Sequence, residues 1–283
     1  MGKNLQSRPF VPKLSRLRSF ERYFVRLDTR VSRTHAVTCF LAVSLVLLAS
    51  IAASQAAPRI AAPGKEMSAS ALLEGFCHVE AASVSDAIEE LTGQKMYMSH
   101  RMRPIFPAKF AGFALTVLLK KQEGHQGSQA LSGMLAAIDQ GGSGSVYVMV
   151  VEDGVDIAGM GGLMGTTMAA RGFAGAVIDG GVRDVPQLTK IGFPVFACGI
   201  VPSTSVNHYR FAGANIPVVC DGVTVHPGDI VVADIDGVVV VPRDKAEQVL
   251  KLAQEMDFKE HSMYPYIEKY KSIEEAVKKF GRI

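Results

Sequence analysis

Arg183 and Asp184 stand side by side at the end of the stretch Ala176–Asp184, AVIDGGVRD, where an apolar run is broken by Gly180 and Gly181. A buried strand followed by a glycine turn and a polar pair is how an α/β protein holds reactive groups at the carboxyl end of its sheet. A carboxylate there can hold a hard cation, and the guanidinium beside it can meet an anionic oxygen. A short way upstream, Gly159–Gly165 (GMGGLMG) offers bare backbone amides. At a helix N-terminus the amides of Gly161, Gly162, Leu163 and Met164 would receive a carboxylate. The two segments together point to a small anionic substrate. Each also has a purely structural use. Asp184-Val185-Pro186-Gln187 reads as a helix N-cap with proline in the first turn, and Gly161, Gly165 and Ala169 form a small-residue face at helical spacing.

Other arrangements carry less. A dinucleotide loop is excluded because the third glycine is Gly165, one position late, and seven residues separate Val151 from Gly159 where that motif needs a tight turn. Asp229, Asp234 and Asp236 lie close in sequence, but Pro-Gly-Asp and Asp-Gly are turn formers and account for them without a metal. No pair of histidines has zinc-ligand spacing. Ser203-Thr204-Ser205 lacks the G-x-S-x-G elbow of a hydrolase nucleophile. Cys77, Cys198 and Cys220 form no CxxC pair and read as small core residues.

The elements that must position these groups alternate. Ser83 opens a helix through Leu91 that Thr92-Gly93 ends, and Phe110–Leu119 reads as a buried strand. Ser128 caps a second helix whose Leu131, Leu135 and Ile138 recur at helical spacing. Strand 146–151, helix 163–170, strand 176–178, helix 185–191 and strand 195–198 follow, an α/β pattern. Beyond Pro217 hairpin chemistry takes over, with strands at 218–219, 223–225, 230–233 and 238–241. A last helix starts at Asp244, with Glu247 completing a capping box, and buries Ala246, Val249, Leu250 and Ala253.

The 283 residues, 48% of them hydrophobic, suffice for a substantial core. The net charge of +3 is a property of the leader: residues 1–35 hold nine Lys/Arg against Glu21 and Asp28, a local +7, which leaves −4 for the rest. A mildly acidic body has no electrostatic footprint for nucleic acid. Residues 36–58 contain no charge over 23 positions, long enough to span a bilayer, and end in Ser54-Gln55-Ala56-Ala57, as at a signal-peptidase site. Three domains of sequence are therefore expected: a basic leader with a signal or anchor segment at 1–57, a linker at 58–82, and one globular domain at 83–283. Any membrane contact would come through 36–58. The leader fits secretory, membrane-anchored or organellar placement, and a cytoplasmic one if the start codon is mis-assigned.

The segments RGFAGAVIDGGVRDVPQL, IGFPVFACGIVP, HPGDIVVADIDGVVVVP and SIEEAVKKFGRI, in this order, resemble the RraA-like family and specifically its 4-hydroxy-4-methyl-2-oxoglutarate aldolase branch. The likeness extends over about Ser83 to Ile283. It implies an α/β/β/α swivelling-type domain, assembly into trimers or hexamers with sites between subunits, and a Mg or Mn ion used to cleave 4-hydroxy-2-oxo acids to pyruvate and to decarboxylate oxaloacetate. By position, Asp184 becomes the metal ligand and Arg183 the contact to the substrate carbonyl oxygen. Gly161, Gly162, Leu163 and Met164 hold the pyruvyl carboxylate, and Glu260, with Glu255 second, is the acidic residue that a neighbouring subunit supplies for proton transfer.

Two departures stand out. Gly162 occupies a place where some aldolases carry an acid, and LLKKQEGHQGSQ lacks the proline and acidic residues often seen in that loop. The rival function implied by the same resemblance is a non-catalytic regulator that binds a ribonuclease or other protein partner. The acid kept after Arg183 favours the enzyme.

Overall fold

A computed structural model describes residues 67–124 and 126–282. The basic leader, the apolar segment 36–58 with Cys39, the first part of the expected linker and His125 lie outside the described residues. No helix among the described residues is long and apolar enough to cross a membrane.

The fold begins earlier than residue 83. The Ser68 hydroxyl accepts the Ala71 amide and caps helix α1 (Ala69–Cys77), which buries Leu72 and Phe76 on one face. Part of the expected linker thus belongs to the globular unit. Helix α2 (Ala81–Thr92) also starts ahead of Ser83, which is buried inside its first turn instead of capping it. The Ala81 amide is met at 2.7 Å by Asp234 Oδ2, a carboxylate far away in sequence. A tertiary contact has taken the place of a local cap.

A two-residue strand, β1 (Arg103–Pro104), and the much longer β2 (Phe110–Lys121) precede a 3₁₀ turn at Ser128–Leu131 and helix α3 (Ser132–Gln140). The pairing of Leu131 with Leu135 on one face fails: Leu135 is 46% exposed, while Met134 and Ala137 turn inward beside Ile138. A 3₁₀ turn has three residues per turn, so a face that starts within it is offset from the α-helical face that follows.

The alternating segment comprises β3 (Ser145–Val151), β4 (Ala158–Met160), α4 (Gly162–Ala170), β5 (Gly175–Val182), α5 (Val185–Ile191) and β6 (Val195–Ile200). Strands β7 (Tyr209–Ala214), β8 (Val218–Cys220), β9 (Val223–Val225), β10 (Ile230–Asp234) and β11 (Gly237–Val241) follow. The hairpin carboxylates serve turns and caps as expected. Asp229 accepts the His226 and Arg243 amides, and Asp234 accepts those of Ala81 and Asp236.

A second 3₁₀ turn (Arg243–Lys245) leads into α6 (Ala246–Tyr270) and α7 (Ile273–Phe280). The expected capping box at Asp244 does not form, since Glu247 instead accepts the Met67 amide. The predicted inner face, Ala246, Val249, Leu250 and Ala253, is buried.

The main sheet runs β1-β6-β5-β3-β2-β10-β11, with β4 added to β5 and β7 to β2. Strands β2, β3, β5 and β6 are mutually parallel, whereas β10 and β11 are antiparallel to their neighbours. Three apolar clusters separate the layers. One, around Tyr147, Met149, Met168 and Leu188, lies between the parallel strands and α3, α4 and α5. A second, around Phe76, Ile88, Val232 and Leu250, lies between β10–β11 and α1, α2 and α6. The third, with Val146, Val148, Phe196, Val231 and Val240, fills the space between the strand layers. This is the α/β/β/α arrangement. Every residue of β3 from Val146 to Val151 feeds one cluster or another, which is why that strand reads as a continuous apolar run.

Candidate functional site

Strands β4 and β5 run parallel, with Met160 opposite Val182. Their carboxyl ends therefore release the chain side by side, the first into Gly161–Met164 and the second into Arg183-Asp184, and the Arg183 amide donates to the Met160 carbonyl at 3.0 Å. The two segments singled out in the sequence form one corner.

Asp184 has φ 58° and ψ 35°, the left-handed region that non-glycine residues seldom occupy, Asn and Asp being among the more tolerant. That backbone turns the side chain away from helix α5, whose N-terminus has no side-chain cap. Oδ2 instead accepts the Gly162 amide of α4 at 2.9 Å. The N-cap reading of Asp184 is thus half right: it caps a neighbouring helix and not its own. Arg183 Nε stands 3.9 Å from the same oxygen, and Arg183 Nη1 donates to the Ser203 carbonyl at 3.1 Å. Both side chains are about half exposed, and Asp184 lines an open depression.

The glycines divide between the two uses proposed for them. A Cβ on Gly161 would lie 2.7 Å from Asp184 Oδ2 and 3.1 Å from Arg183 Cγ, so the bare backbone is what lets the carboxylate approach the helix end. A Cβ on Gly165 would meet Leu188 at 2.2 Å, which is helix packing. With the Gly162 amide committed to Asp184, the amides of Leu163 and Met164 in the first turn make no hydrogen bond among the described residues. Of the four residues expected to receive an anion, Gly162 has its amide occupied by Asp184.

The depression, of about 440 Å³, is lined by Gly162, Leu163, Thr166, Asp184, Pro186 and Gln187. The Gln187 amide donates to the Thr166 hydroxyl at 3.2 Å across its floor. Leu163 is 89% exposed at the rim.

Glu260 and Glu255 are elsewhere. Both lie on α6, in the helical layer that packs on β10 and β11, and Glu260 accepts the Tyr264 hydroxyl at 2.7 Å and lies 3.7 Å from Arg282. Within one chain these residues are not brought to Asp184. Glu255 lines a separate cavity with Asp86, Glu89, Glu90 and Arg282.

A second set of ligand-type atoms was not foreseen. Asp179, Cys198 and Asp221 offer donor atoms within 4.8 Å of one another. Their hydrogen bonds are already spoken for: Asp179 accepts the Asp221 amide at 2.7 Å and the Cys198 thiol at 3.5 Å, and Asp221 accepts the Ser99 hydroxyl at 2.6 Å and the Arg101 guanidinium at 2.5 Å. Burial, reinforced by the charge of Asp179, pushes the Cys198 thiol up to about 11. Burial also works to raise Asp221, but Ser99 and Arg101 outweigh it and hold that carboxyl below its ordinary value. The guanidinium of Arg101 pairs with the Asp221 carboxylate of this cluster. No spacing in the sequence could have revealed it, because its members come from four separate segments.

The profile of the RraA-like family, described as Aldolase/RraA, matches residues 81–240. The chain belongs to the RraA-like family. The matched region contains Gly161–Met164, Arg183 and Asp184 and ends before Glu255 and Glu260.

Among similar proteins, the protein DlpA of Legionella pneumophila is 29% identical over 180 residues, covering 63% of this chain and 29% of DlpA. A protein of Halalkalibacterium halodurans, provisionally named 4-hydroxy-4-methyl-2-oxoglutarate aldolase, is 39% identical over 83 residues, 29% of this chain and 39% of that one. The chain thus spans well under two thirds of either relative. One of Burkholderia mallei with the same provisional name is 34% identical over 133 residues, 47% of this chain and 74% of that one.

Among solved structures, an uncharacterized protein from Pseudomonas syringae pv. tomato superposes with a TM-score of 0.66 at 29% identity, covering 75% of this chain and 99% of that one. Streptomyces coelicolor RraAS2, described as an unusual member of the RNase ES inhibitor RraA protein family, gives 0.62 at 27% identity over 71% of this chain and all of that one.

Proposed function

We propose that this RraA-like protein is a divalent-metal-dependent lyase that cleaves 4-hydroxy-2-oxo acids of the 4-hydroxy-4-methyl-2-oxoglutarate type to pyruvate and also decarboxylates oxaloacetate. One observation carries the reading: the Asp184 carboxylate and the first turn of helix α4, at Gly162 and Leu163, line one open depression, with the Arg183 guanidinium 3.9 Å from that carboxylate.

The donor chemistry suits Mg or Mn. Asp184 spends Oδ2 on the Gly162 amide, its Oδ1 makes no hydrogen bond among the described residues, and the residue lines a depression with room for waters and for the oxygens of a 2-oxo acid. When bound, the ion would act as a Lewis acid toward the 2-oxo group. The residues do the rest. Leu163 and Met164 receive the carboxylate at C1, where the positive end of α4 favours an anion. Arg183 faces the C2 oxygen. As the C4 hydroxyl proton leaves and the C3–C4 bond breaks, the electron pair moves into C2–C3, and the growing negative charge on the C2 oxygen is met by the guanidinium. Protonation at C3 yields pyruvate, and the carbonyl fragment departs. Loss of CO₂ from oxaloacetate leads to the same enolate.

The site is completed, in this reading, by a second copy of the chain in a trimer or hexamer. That copy contributes Glu260, or failing it Glu255, to hold the water that takes the hydroxyl proton. The exposure of Leu163 beside Asp184 supports a covered rim.

Likeness to RraAS2 favours one other reading, a regulator that binds a ribonuclease or another protein without chemistry. One assay separates the two. The purified chain is given 4-hydroxy-4-methyl-2-oxoglutarate or oxaloacetate with Mg or Mn, and pyruvate is followed with lactate dehydrogenase. Turnover that EDTA abolishes is expected. No turnover, or turnover indifferent to EDTA, overturns the lyase.

A further inference from the structure

Ser203 belongs to a serine-rich segment for which neither the fold nor the chemistry above has a use. Its hydroxyl donates to the Asp156 carbonyl at 2.8 Å and accepts the Ala158 amide at 2.9 Å, and its carbonyl accepts Arg183 Nη1 at 3.1 Å. Asp156 and Ala158 bracket the entry to β4, the strand that delivers Gly161–Met164. One residue therefore grips the strand feeding the anion-receiving amides with its side chain and the guanidinium with its backbone.

The backbones at Met160–Gly162 and Arg183-Asp184 are tied directly, by the Arg183 amide on the Met160 carbonyl and by Asp184 on the Gly162 amide, but among the described residues the Arg183 guanidinium hydrogen-bonds to Ser203 alone. Gly181 donates to the Ile157 carbonyl and Val201 to the Val182 carbonyl, which tie β4 and the segment after β6 separately to β5. These bonds fix the strands in register. They do not join the two flanking segments to each other. Among the described residues the direct bonds between residues 156–160 and 201–205 are the two made by the Ser203 hydroxyl. A hydroxyl can do this because it donates and accepts at once. We infer that Ser203 is a positioning residue, which sets the distance between the Leu163–Met164 amides and the Arg183 guanidinium and thereby where the C1 carboxylate sits relative to the C2 oxygen.

The catalytic half of this inference rests on the lyase reading, whereas the positional half rests on the bonds alone, so two measurements are needed. The first is amide hydrogen exchange of the full chain without ligand. Ser203→Ala should raise exchange at the hydrogen-bonded amides of Ala158, Gly162 and Gly165 at least fivefold while leaving β3 and β10 unchanged, and Ser203→Thr, which keeps the hydroxyl, should restore protection. Unchanged exchange in Ser203→Ala overturns the inference whatever the protein turns over.

The second is steady-state turnover with Mn. Misplacing reacting groups by a fraction of an ångström is costly, so Ser203→Ala should lower kcat/KM roughly 10- to 100-fold, with both kcat and KM affected and with recovery in Ser203→Thr. A lower melting temperature with kcat and KM unaltered would reduce Ser203 to a structural role and overturn the catalytic half. A wild-type chain with no metal-dependent turnover would remove that half together with the lyase reading, leaving exchange to decide the other. If Ser203→Ala fails to fold, Ser203→Cys, similar in size and a weak hydrogen-bond partner, takes its place in both assays.

Discussion

The carboxylate of Asp184 accepts the amide of Gly162 at 2.9 Å, so the acid at the head of one helix neutralises the first turn of another. This bond fixes one oxygen and leaves the other without a hydrogen bond among the described residues, the one that would meet a cation in the proposed lyase. Asp184→Asn keeps an acceptor for Gly162 and tolerates the left-handed backbone, but it cannot supply a negatively charged ligand. Stability should change by less than about 1 kcal/mol, whereas metal-dependent pyruvate release should fall at least about 100-fold. Thermal unfolding and the lactate dehydrogenase assay check the two halves. An unfolded Asp184→Asn would return the residue to a structural role.

Gly161→Ala tests the same contact from the other side. The new methyl would lie 2.7 Å from Asp184 Oδ2, and the carboxylate, a short side chain with open space beside it, is what must yield. Activity should drop roughly 10- to 100-fold with the melting temperature nearly unchanged. Manganese affinity should weaken in parallel, measured by the loss of the free-ion paramagnetic signal on titration.

The two sets of candidate ligands make opposite predictions. Cys198→Ala removes a donor from the Asp179–Cys198–Asp221 group, yet manganese titration should be indistinguishable from that of the unaltered chain, because Arg101 already supplies the positive charge there. Weakened binding in Cys198→Ala would move the metal to that cluster.

Acid sensitivity follows from Asp221. Its folded-state pKa lies below its ordinary value, since Ser99 and Arg101 overcome the effect of burial. Its contribution to stability is therefore complete above the unfolded pKa of about 4 and is lost as pH falls through the lower folded value. Arg101→Met should flatten the acid limb of a plot of unfolding free energy against pH below about 4 and leave its shape above about 6 unaltered. Urea unfolding across that range measures both.

Thiol labelling should be selective. Cys220 is buried and its thiol is pushed well above the usual range, and Cys198 is raised to about 11, so neither forms thiolate near neutrality. Cys77 is exposed. Among these three, iodoacetamide at pH 8 should modify Cys77 first, and peptide mass mapping would show the order.

The central elements were legible in the sequence because their signals are local. Parallel strands buried on both faces give unbroken apolar runs, as at Val146–Val151, and glycine-opened strand ends mark the corner at Arg183. What escaped is nonlocal. Helix α2 begins where Asp234 reaches its first turn, and Ser83, the local candidate, is packed away. Strand β7 has four partly buried residues in succession and so shows no alternation. Ser203 and the Asp221 group acquire meaning only from residues brought to them by the fold. The role of Gly162 was misread for the same reason, since nothing near it in the chain announces that its amide is taken.

Strand β2 pairs through Phe110–Phe113 with β10 and through Phe113–Leu119 with β3, and its side chains pass from the cluster beneath α1, α2 and α6 to the one beneath α3, α4 and α5. It is a shared beam. Neither half of the molecule can close its hydrophobic layer while that beam is unplaced, and of the partners it awaits β10 follows it by about a hundred residues. Loop-closure entropy must be overcome before such contacts return anything. Folding should therefore be slow, and a ribosome that has released the chain only through β3 presents a strand whose other edge still lacks β10.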